Sequence, residues 1–378
     1  MLAGAFGFAF GVESTNRFRA LTLPLFRIDQ AVSRWRFEHR PYPKADPAQI
    51  NANRFEVTQS DPNLTGRVLV GLRGLNPQYE NRVVEVDRSG QVTWEYRMGR
   101  LLSNDIRKLP NGHVLIGARD DFRFGDQIAD TPWDPARANS WVFEVDEAGK
   151  LVRQTPAPVT HHAELLDDGN LLVADANRSL VAEVDPQGNL AWSWYGKDHI
   201  PEYKPQTFVN TPPGSFGRQL VHNMYQQFRE GYYPGSDWLH VNSAQRLANG
   251  DTVMSFRNLD LVIEVNRAGD PVWTYGSLVL KHQHCGWVLP NDHLLVVDNG
   301  NGRVIEVDRQ TQQIVWEQDG LKFATQGCAY RMPDGNTFIT DADNMRAIEV
   351  TPNHDIVWQL KILTPATMAP YRIWWSPS

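Results

Sequence analysis

Three histidines and one arginine carry the strongest chemical signal in this chain: His161, His240, His284 and Arg257. The stretch DWLHVNSAQRLANGDTVMSFRN (237–258) holds two of them and adds Asp237 and Asn242. Imidazole can act as a nucleophile or a general base. Guanidinium offers a planar fork that fits sulfate, phosphate or carboxylate. Three histidines also resemble a zinc set. However, they lie far apart in the chain, only His282 and His284 are close neighbours, and Arg257 would repel a cation. No metal and no cofactor are expected. A cationic, histidine-rich pocket suits an anion, so the residues point to sulfuryl or phosphoryl transfer, or to attack beside a uronate carboxylate.

A repeat explains how residues so far apart can meet. An apolar run with Glu, then Asp or Asn, a turn and Trp recurs as VVEVDRSGQVTW (83–94), VFEVDEAGKLVR (142–153), VAEVDPQGNLAW (181–192), VIEVNRAGDPVW (262–273), VIEVDRQTQQIVW (304–316) and AIEVTPNHDIVW (347–358). Each alternates with period two about a turn, which predicts a hairpin. Arg153 stands where the other five end in Trp. A second hairpin precedes most of these, as in DIRKLPNGHVLIGAR (105–119) and HAELLDDGNLLVADA (162–176). One unit is therefore four strands and roughly 40 residues, and six units predict an all-β, six-bladed β-propeller. The first unit lacks its inner strand. APYRIWW (369–375) is expected to supply it, pairing the N- and C-terminal parts of the chain and removing the open edges. The repeated Glu and Trp residues read as scaffold because they recur from blade to blade.

Registering the units on their turn glycine, or on Asp292 in its place, aligns the candidate site. Eight residues upstream stand Asn104, His161, Asn242, His284 and Gly327. These are equivalent positions on successive inner strands, which surround the axis. His240 and His282 lie two residues further upstream, on the same strand face by alternation. Seven residues after the turn stand Arg119 and Arg257. The expected pocket is His161, His240, His284 and Arg257 as reacting groups, with Asn242, Asn104, Arg119 and His282 binding substrate. His162 should face the other way. His113, His293 and His354 fall in turns and are expected in solvent.

Composition fits this reading and excludes others. Of 378 residues, 41% are hydrophobic, enough for a large core, and 13 Trp, 28 Gly and 24 Pro suit short strands with many turns. A net charge of −7 without a Lys/Arg-rich stripe argues against nucleic acid as a partner. Two cysteines, Cys285 and Cys328, make no disulfide framework, and whether they pair is left open. Residues 1–60 form an N-terminal segment before a propeller over 61–378. Its apolar start, MLAGAFGFAFGV, is short for a lone spanning helix. It suits a buried helix or, with the basic stretch that follows, association with a membrane surface. Two long insertions, near 120–140 and 196–237, are expected on one face of the propeller, where long loops are usually functional.

DWLHVNS (237–243), SFRN (255–258), QHCGW (283–287) and DNGNGR (298–303), with HHAELLDDGN (161–170) as a looser match, resemble the bacterial arylsulfate sulfotransferase family. The resemblance covers roughly 100–360. It implies a six-bladed propeller that moves a sulfuryl group from an aryl sulfate ester to a phenolic or hydroxyl acceptor without a nucleotide sulfate donor. It also implies that His284 is the nucleophile, forming a sulfohistidine. His240 and Arg257 would then hold the sulfuryl oxygens, His161 would do the same or handle the phenolic proton, and Asn242 would add a hydrogen bond. A periplasmic location, or a membrane anchor facing the periplasm, follows from the same resemblance. The chain departs from the family in His162-Ala163, where an acidic residue is usual, in Cys285 beside the nucleophile, and in the large N-terminal β domain the family usually carries. Two other readings stay open. One is a polysaccharide lyase on a uronate glycan, with Tyr225, Tyr232 or Tyr233 as partner to His240. The other is a non-catalytic, membrane-tethered interaction module. Oligomeric state is not legible.

Overall fold

The computed structural model describes residues 54–74, 80–120, 132–199, 239–276, 278–321, 323, 327–341, 344–363 and 368–376. Strands within each sheet are antiparallel, and the six sheets form a six-bladed propeller. Counting strands outward from the axis, blade 2 is Leu101–Lys108, Val114–Asp120, Ser140–Val145 and Leu151–Pro156. Blade 3 is His162–Leu165, Leu171–Asp175, Leu180–Val184 and Leu190–Tyr195. Blade 4 is Val241–Arg246, Thr252–Phe256, Leu261–Val265 and Pro271–Tyr275. Blade 5 is His284–Val288, His293–Asp298, Arg303–Asp308 and Ile314–Gln318. Blade 6 is Gly327–Arg331, Thr337–Asp341, Arg346–Val350 and Ile356–Leu363.

Blade 1 closes the ring. Its inner strand is the C-terminal Met368–Ser376, which pairs with Arg67–Gly74 in the register Arg67↔Ser376 to Gly74↔Met368. Asn81–Val86 and Val92–Gly99 complete the blade. A second clasp was not legible in the sequence. Arg54–Ser60, grouped there with the N-terminal segment, pairs with Ile356–Leu363 as a fifth, outermost strand of blade 6. Residues 1–53 lie outside the described part, as do 121–131, 200–238 and Asp237 with them.

The core is divided among the gaps between blades. Each of six buried clusters joins neighbouring blades. One unites Leu172, Val181 and Trp194 of blade 3 with Val241, Met254, Phe256 and Ile263 of blade 4. The repeated glutamate seals the same gaps. Glu183 meets Arg246 Nη2 at 3.1 Å and Arg267 Nη1 at 2.6 Å from blade 4. Glu264 pairs with Arg309, Glu306 with Arg331, Glu349 with Arg88 and Glu85 with Lys108, in each case on the next blade. The same arginines lie on the outer-strand tryptophans: Arg246 on Trp192, Arg309 on Trp273, Arg331 on Trp316 and Arg88 on Trp358, at 4.7–5.0 Å from ring centre to guanidinium carbon. Each of these indoles then donates its N–H to a turn carbonyl of the next blade: Arg267, Arg309, Pro352 and Arg88 respectively.

Blade 2 breaks the rule at Arg153 and repairs it from elsewhere. Glu144 bonds within its own blade, to His113 and Arg153. Trp133, from the insertion between the second and third strands, donates its indole N–H to Gly188 O at 2.8 Å on blade 3. Two of the turn histidines, His113 and His293, are half-buried rather than in solvent, whereas His354 is exposed as expected. His113 Nδ1 sits 2.7 Å from Glu144 and His293 Nδ1 2.7 Å from Glu306, while His354 stacks on Trp316. Two of these imidazoles bind the repeated glutamate where blades 3 and 6 use Asn170 and Asn336.

Candidate active site

Inner strands begin, and second strands end, on the face that carries both insertions. Three imidazoles converge there. His161 immediately precedes the inner strand of blade 3, His240 that of blade 4, and His284 opens that of blade 5. His161 Nε2 and His240 Nε2 are 3.0 Å apart, so one of the pair donates and the other accepts. Ring centres lie 4.6 Å apart for His161 and His240, 6.5 Å for His161 and His284, and 6.1 Å for His240 and His284. Among the described residues, no group of three or more His, Cys, Asp or Glu could hold a metal ion.

Local backbone irregularity aims these groups. His240 has φ +51, in the left-handed region, so strict strand alternation does not apply to it. It is held by its carbonyl, which accepts from Arg257 N at 3.2 Å. Arg257 begins a short 3-10 turn, and its Nη1 donates to Asn258 Oδ1 at 2.9 Å. The arginine-bearing turn and the histidine-bearing segment are thus one hydrogen-bonded unit.

Asn104 and Asn242 are the extra residues of β-bulges. In blade 2 the pairing passes from Ser103 to Asp105, and in blade 4 from Val241 to Ser243. Bulges re-aim side chains. Here both amides cross to the next blade. Asn104 Nδ2 donates to Val159 O at 3.5 Å and Asn242 Nδ2 to Gln283 O at 2.8 Å. Both residues, expected as substrate contacts, give their amide N–H to backbone. Gln283 is itself anchored on blade 4, its Nε2 reaching Ser255 Oγ, Phe256 O and Leu261 O within 3.2 Å. His284 therefore enters the pocket from a backbone locked to blade 4 on one side. On the other side Cys285 is bonded to Cys328 of blade 6, Cα atoms 5.3 Å apart. The pairing left open by the sequence is formed.

Arg119 and His282 sit at the margin. Arg119 lines a small cleft with Asp120, Asn139, Ser140, Val159, Thr160 and Asn177, next to the His161 segment. His282, φ +50, is fixed by its backbone N–H on Asp260 Oδ1 at 2.6 Å; the ring contacts described above involve the other three histidines. Tyr225, Tyr232 and Tyr233 lie outside the described residues.

His162 does face the other way. It is buried, with Arg107 Nη2 2.8 Å from its Nδ1. Arg107 of blade 2 lies over Trp287 of blade 5, across the axis, and over Trp374 of blade 1. Tyr330 packs on Trp374 at 4.2 Å. Glu164 joins this group, and burial pushes its carboxyl above the ordinary range, opposed by the charge of Arg107. This group packs side chains of blades 1, 2, 5 and 6 together near the axis.

One residue at the mouth was missed. Asn299 follows the second strand of blade 5, in the position that Arg257 holds in blade 4; both begin 3-10 turns that end in a left-handed residue, Gly302 and Asp260. Asn299 Nδ2 is 3.0 Å from His284 Nδ1. The signal was present: Asn299 lies seven residues after Asp292, as Arg257 does after Gly250.

Residues 54–279, more than half of the chain, match the family described as Arylsulfotransferase (ASST). The chain belongs to the arylsulfotransferase family. It is accordingly a transferase, of a family whose substrates are aryl sulfates and phenols. No curated protein matches it. Among solved structures, a protein of unknown function from Bacteroides caccae is similar in fold, with a TM-score of 0.53 and 12% identity over 83% of this chain and 100% of that one. Streptogramin B lyase gives 0.47 and 8% identity over 82% of this chain and 89% of its own. Virginiamycin B lyase from Staphylococcus aureus gives 0.45 and 9% over 85% and 96%. The first of these supports the propeller fold alone, and the two lyases carry no argument about this arylsulfotransferase.

Proposed function

We propose that this arylsulfotransferase carries the sulfuryl group on His284, as a sulfohistidine, between an aryl sulfate ester and a phenolic or hydroxyl acceptor, with no nucleotide sulfate donor. The observation that carries the reading is the convergence of three imidazoles from blades 3, 4 and 5 beside the Arg257 turn. In the first half-reaction the Nε2 lone pair of neutral His284 forms an N–S bond. The aryl oxygen leaves with the S–O bonding pair and takes a proton from the His161–His240 pair, which enters as imidazolium and imidazole sharing one hydrogen bond and is left as two neutral rings. The sulfo-imidazole keeps the proton on Nδ1. In the second half the acceptor hydroxyl returns its proton to the pair, its oxygen attacks sulfur, and the N–S pair goes back to His284. Arg257 balances the charge on the sulfuryl oxygens in both transition states.

Intact mass after brief exposure to 4-nitrophenyl sulfate tests this. Wild type should gain about 80 Da, one sulfo group, as nitrophenol is released, and His284→Ala should gain nothing. Nitrophenol released at an unchanged rate by His284→Ala would end the reading.

The Cys285–Cys328 bond supports an oxidising location, and the periplasm is the one proposed. No helix among the described residues is long and apolar enough to cross a membrane. Association through the apolar N-terminal residues is proposed from sequence alone. Cell fractionation of the full chain against a chain starting at residue 54 checks it; equal partition of the two would overturn it.

A further inference from the structure

We infer that Asn299 is a positioning residue: its side-chain carbonyl accepts the Nδ1 proton of His284 and so keeps the Nε2 lone pair free to attack sulfur. The inference rests on His284 being the nucleophile, and it concerns which of two ring nitrogens can act.

A neutral imidazole carries one proton, and the partner of one nitrogen decides the state of the other. At His284 the Nδ1 edge faces the Asn299 amide, placed with Nδ2 3.0 Å away and with Oδ1 buried and making no hydrogen bond. Both residues are buried, His284 at 3% and Asn299 at 4% exposure, so bulk water is not placed to set the tautomer. A side-chain amide can present either of its ends to that edge. With the nitrogen presented, Nδ1 accepts, Nε2 holds the proton, and the ring has no lone pair to give. With the oxygen presented, Nδ1–H donates and Nε2 is nucleophilic. Chemistry also favours the oxygen once sulfur is bound. An Nε2-sulfo imidazole that keeps its Nδ1 proton is cationic in the ring, and a carbonyl dipole stabilises that charge where an amide N–H would repel it.

The turn that carries Asn299 is built to hold it still. Asp298, fully buried, accepts from Lys281 N at 2.7 Å, from Asn301 Nδ2 at 2.8 Å and from Arg303 Nε at 2.8 Å. Burial pushes its carboxyl up, and these donors oppose that shift. Gly300 N donates to Lys281 O at 2.8 Å, and a Cβ on Gly300 would come within 2.5 Å of the Lys281 side chain, so the close approach requires glycine. Gly302, φ +70, closes the turn with its N–H on Asn299 O. The amide is thus fixed at one edge of His284 by the turn's own hydrogen bonds.

The experiment has two arms on the full chain. In NMR of the wild type with labelled imidazole nitrogens, the resonance lost in His284→Ala should report a proton on Nδ1 and none on Nε2 near neutral pH. A proton on Nε2 overturns the inference, whether or not His284 takes up sulfur. In kinetics, Asn299→Leu should slow sulfo-adduct formation about 10- to 100-fold, by analogy with the loss of outer partners of metal-binding histidines. Asn299→Asp should retain adduct formation and move the acidic limb of kcat/KM to higher pH by about one unit or more, because a carboxylate beside Nδ1 favours the charged ring. A folded Asn299→Leu with wild-type rate and limb, or an Asn299→Asp with an unmoved limb, overturns it. If wild type forms no adduct, the nucleophile reading fails, and the tautomer measurement still decides the role of Asn299.

Discussion

The seams between blades and the mouth of the pocket use the repeat in opposite ways. At the seams, one contact is copied around the ring: Glu183 with Arg246 under Trp192, Glu264 with Arg309 under Trp273, Glu306 with Arg331 under Trp316. At the mouth the equivalent positions differ from blade to blade. Seven residues after the turn reference stand Arg119, Ala176, Arg257 and Asn299; eight before it stand Asn104, His161, Asn242, His284 and Gly327. Sameness at the seams lets every interface support its neighbours. Under the proposed mechanism, difference at the mouth lets one scaffold offer a nucleophile, proton carriers and a cation to a single sulfuryl group. A repeat that conserved the mouth as well would present identical groups, and identical groups cannot divide the roles of attack, proton transfer and charge balance.

Breaking the disulfide tests whether the two regions are energetically separate. Cys285 follows His284, yet the bond spans the seam between blades 5 and 6 and closes a loop with a sequence separation of 43. Chain-entropy arguments give about 4 kcal/mol for a loop of that size. Cys285→Ser/Cys328→Ser should lose up to that amount in denaturant unfolding. Its sulfo-transfer rate below the transition should stay within a few-fold of wild type. A collapse of activity in the folded variant would mean that the seam positions the mouth.

Arg257→Lys should leave unfolding unchanged and lower kcat/KM about 10²- to 10³-fold, as for loss of one donor to a developing anion. Lysine keeps the charge and loses the fork. An unchanged rate would remove Arg257 from the sulfuryl group.

Glu183→Gln should do the reverse, costing about 2 kcal/mol of stability with kcat within twofold of wild type, since it removes a charge that accepts two guanidinium hydrogen bonds. Its pH dependence sharpens the point. Burial alone would raise the Glu183 carboxyl, but Arg267, Asn170 and Arg246 hold it below its ordinary value, and Glu85 is held low in the same way by Arg67 and Lys108. A depressed folded-state value adds stability above the unfolded value, about 4.3, and that stability is lost as pH falls through the folded one. The gap between wild type and Glu183→Gln should therefore be full near neutrality and close below about pH 4. A gap that persists in acid would mean that packing, not charge, is lost.

Sequence spacing located the blades, the closure by 369–375 and the three converging histidines, because period-two alternation and a fixed turn reference survive any local detail. It failed where the backbone leaves the regular strand. Bulges at Asn104 and Asn242 turn both amides to the neighbouring blade, which alternation cannot express. His113 and His293 sit beside turns, yet a repeated glutamate captures each. Trp133 stands in for the tryptophan missing at Arg153 from a point outside the repeat, so no register could have assigned it. Asn299 was legible at its register position, but it carries no charge, and a neutral amide can steer a histidine without any.

The double clasp of blades 6 and 1 gives this array a different unfolding logic from an open solenoid. An open stack has two terminal repeats, each with a single neighbour, and frays from them. Here the C-terminal strand lies inside blade 1 and Arg54–Ser60 lies outside blade 6, so every blade has two neighbours. Detaching any one blade must break two interfaces at once. Blades 3, 4 and 5, which carry His161, His240 and His284, lie across the ring from that clasp. A chain ending before Met368 would keep the outer clasp at Arg54–Ser60 but lose the inner strand of blade 1, so loosening would begin at the seam of blades 6 and 1, opposite the blades that carry His161 and His240.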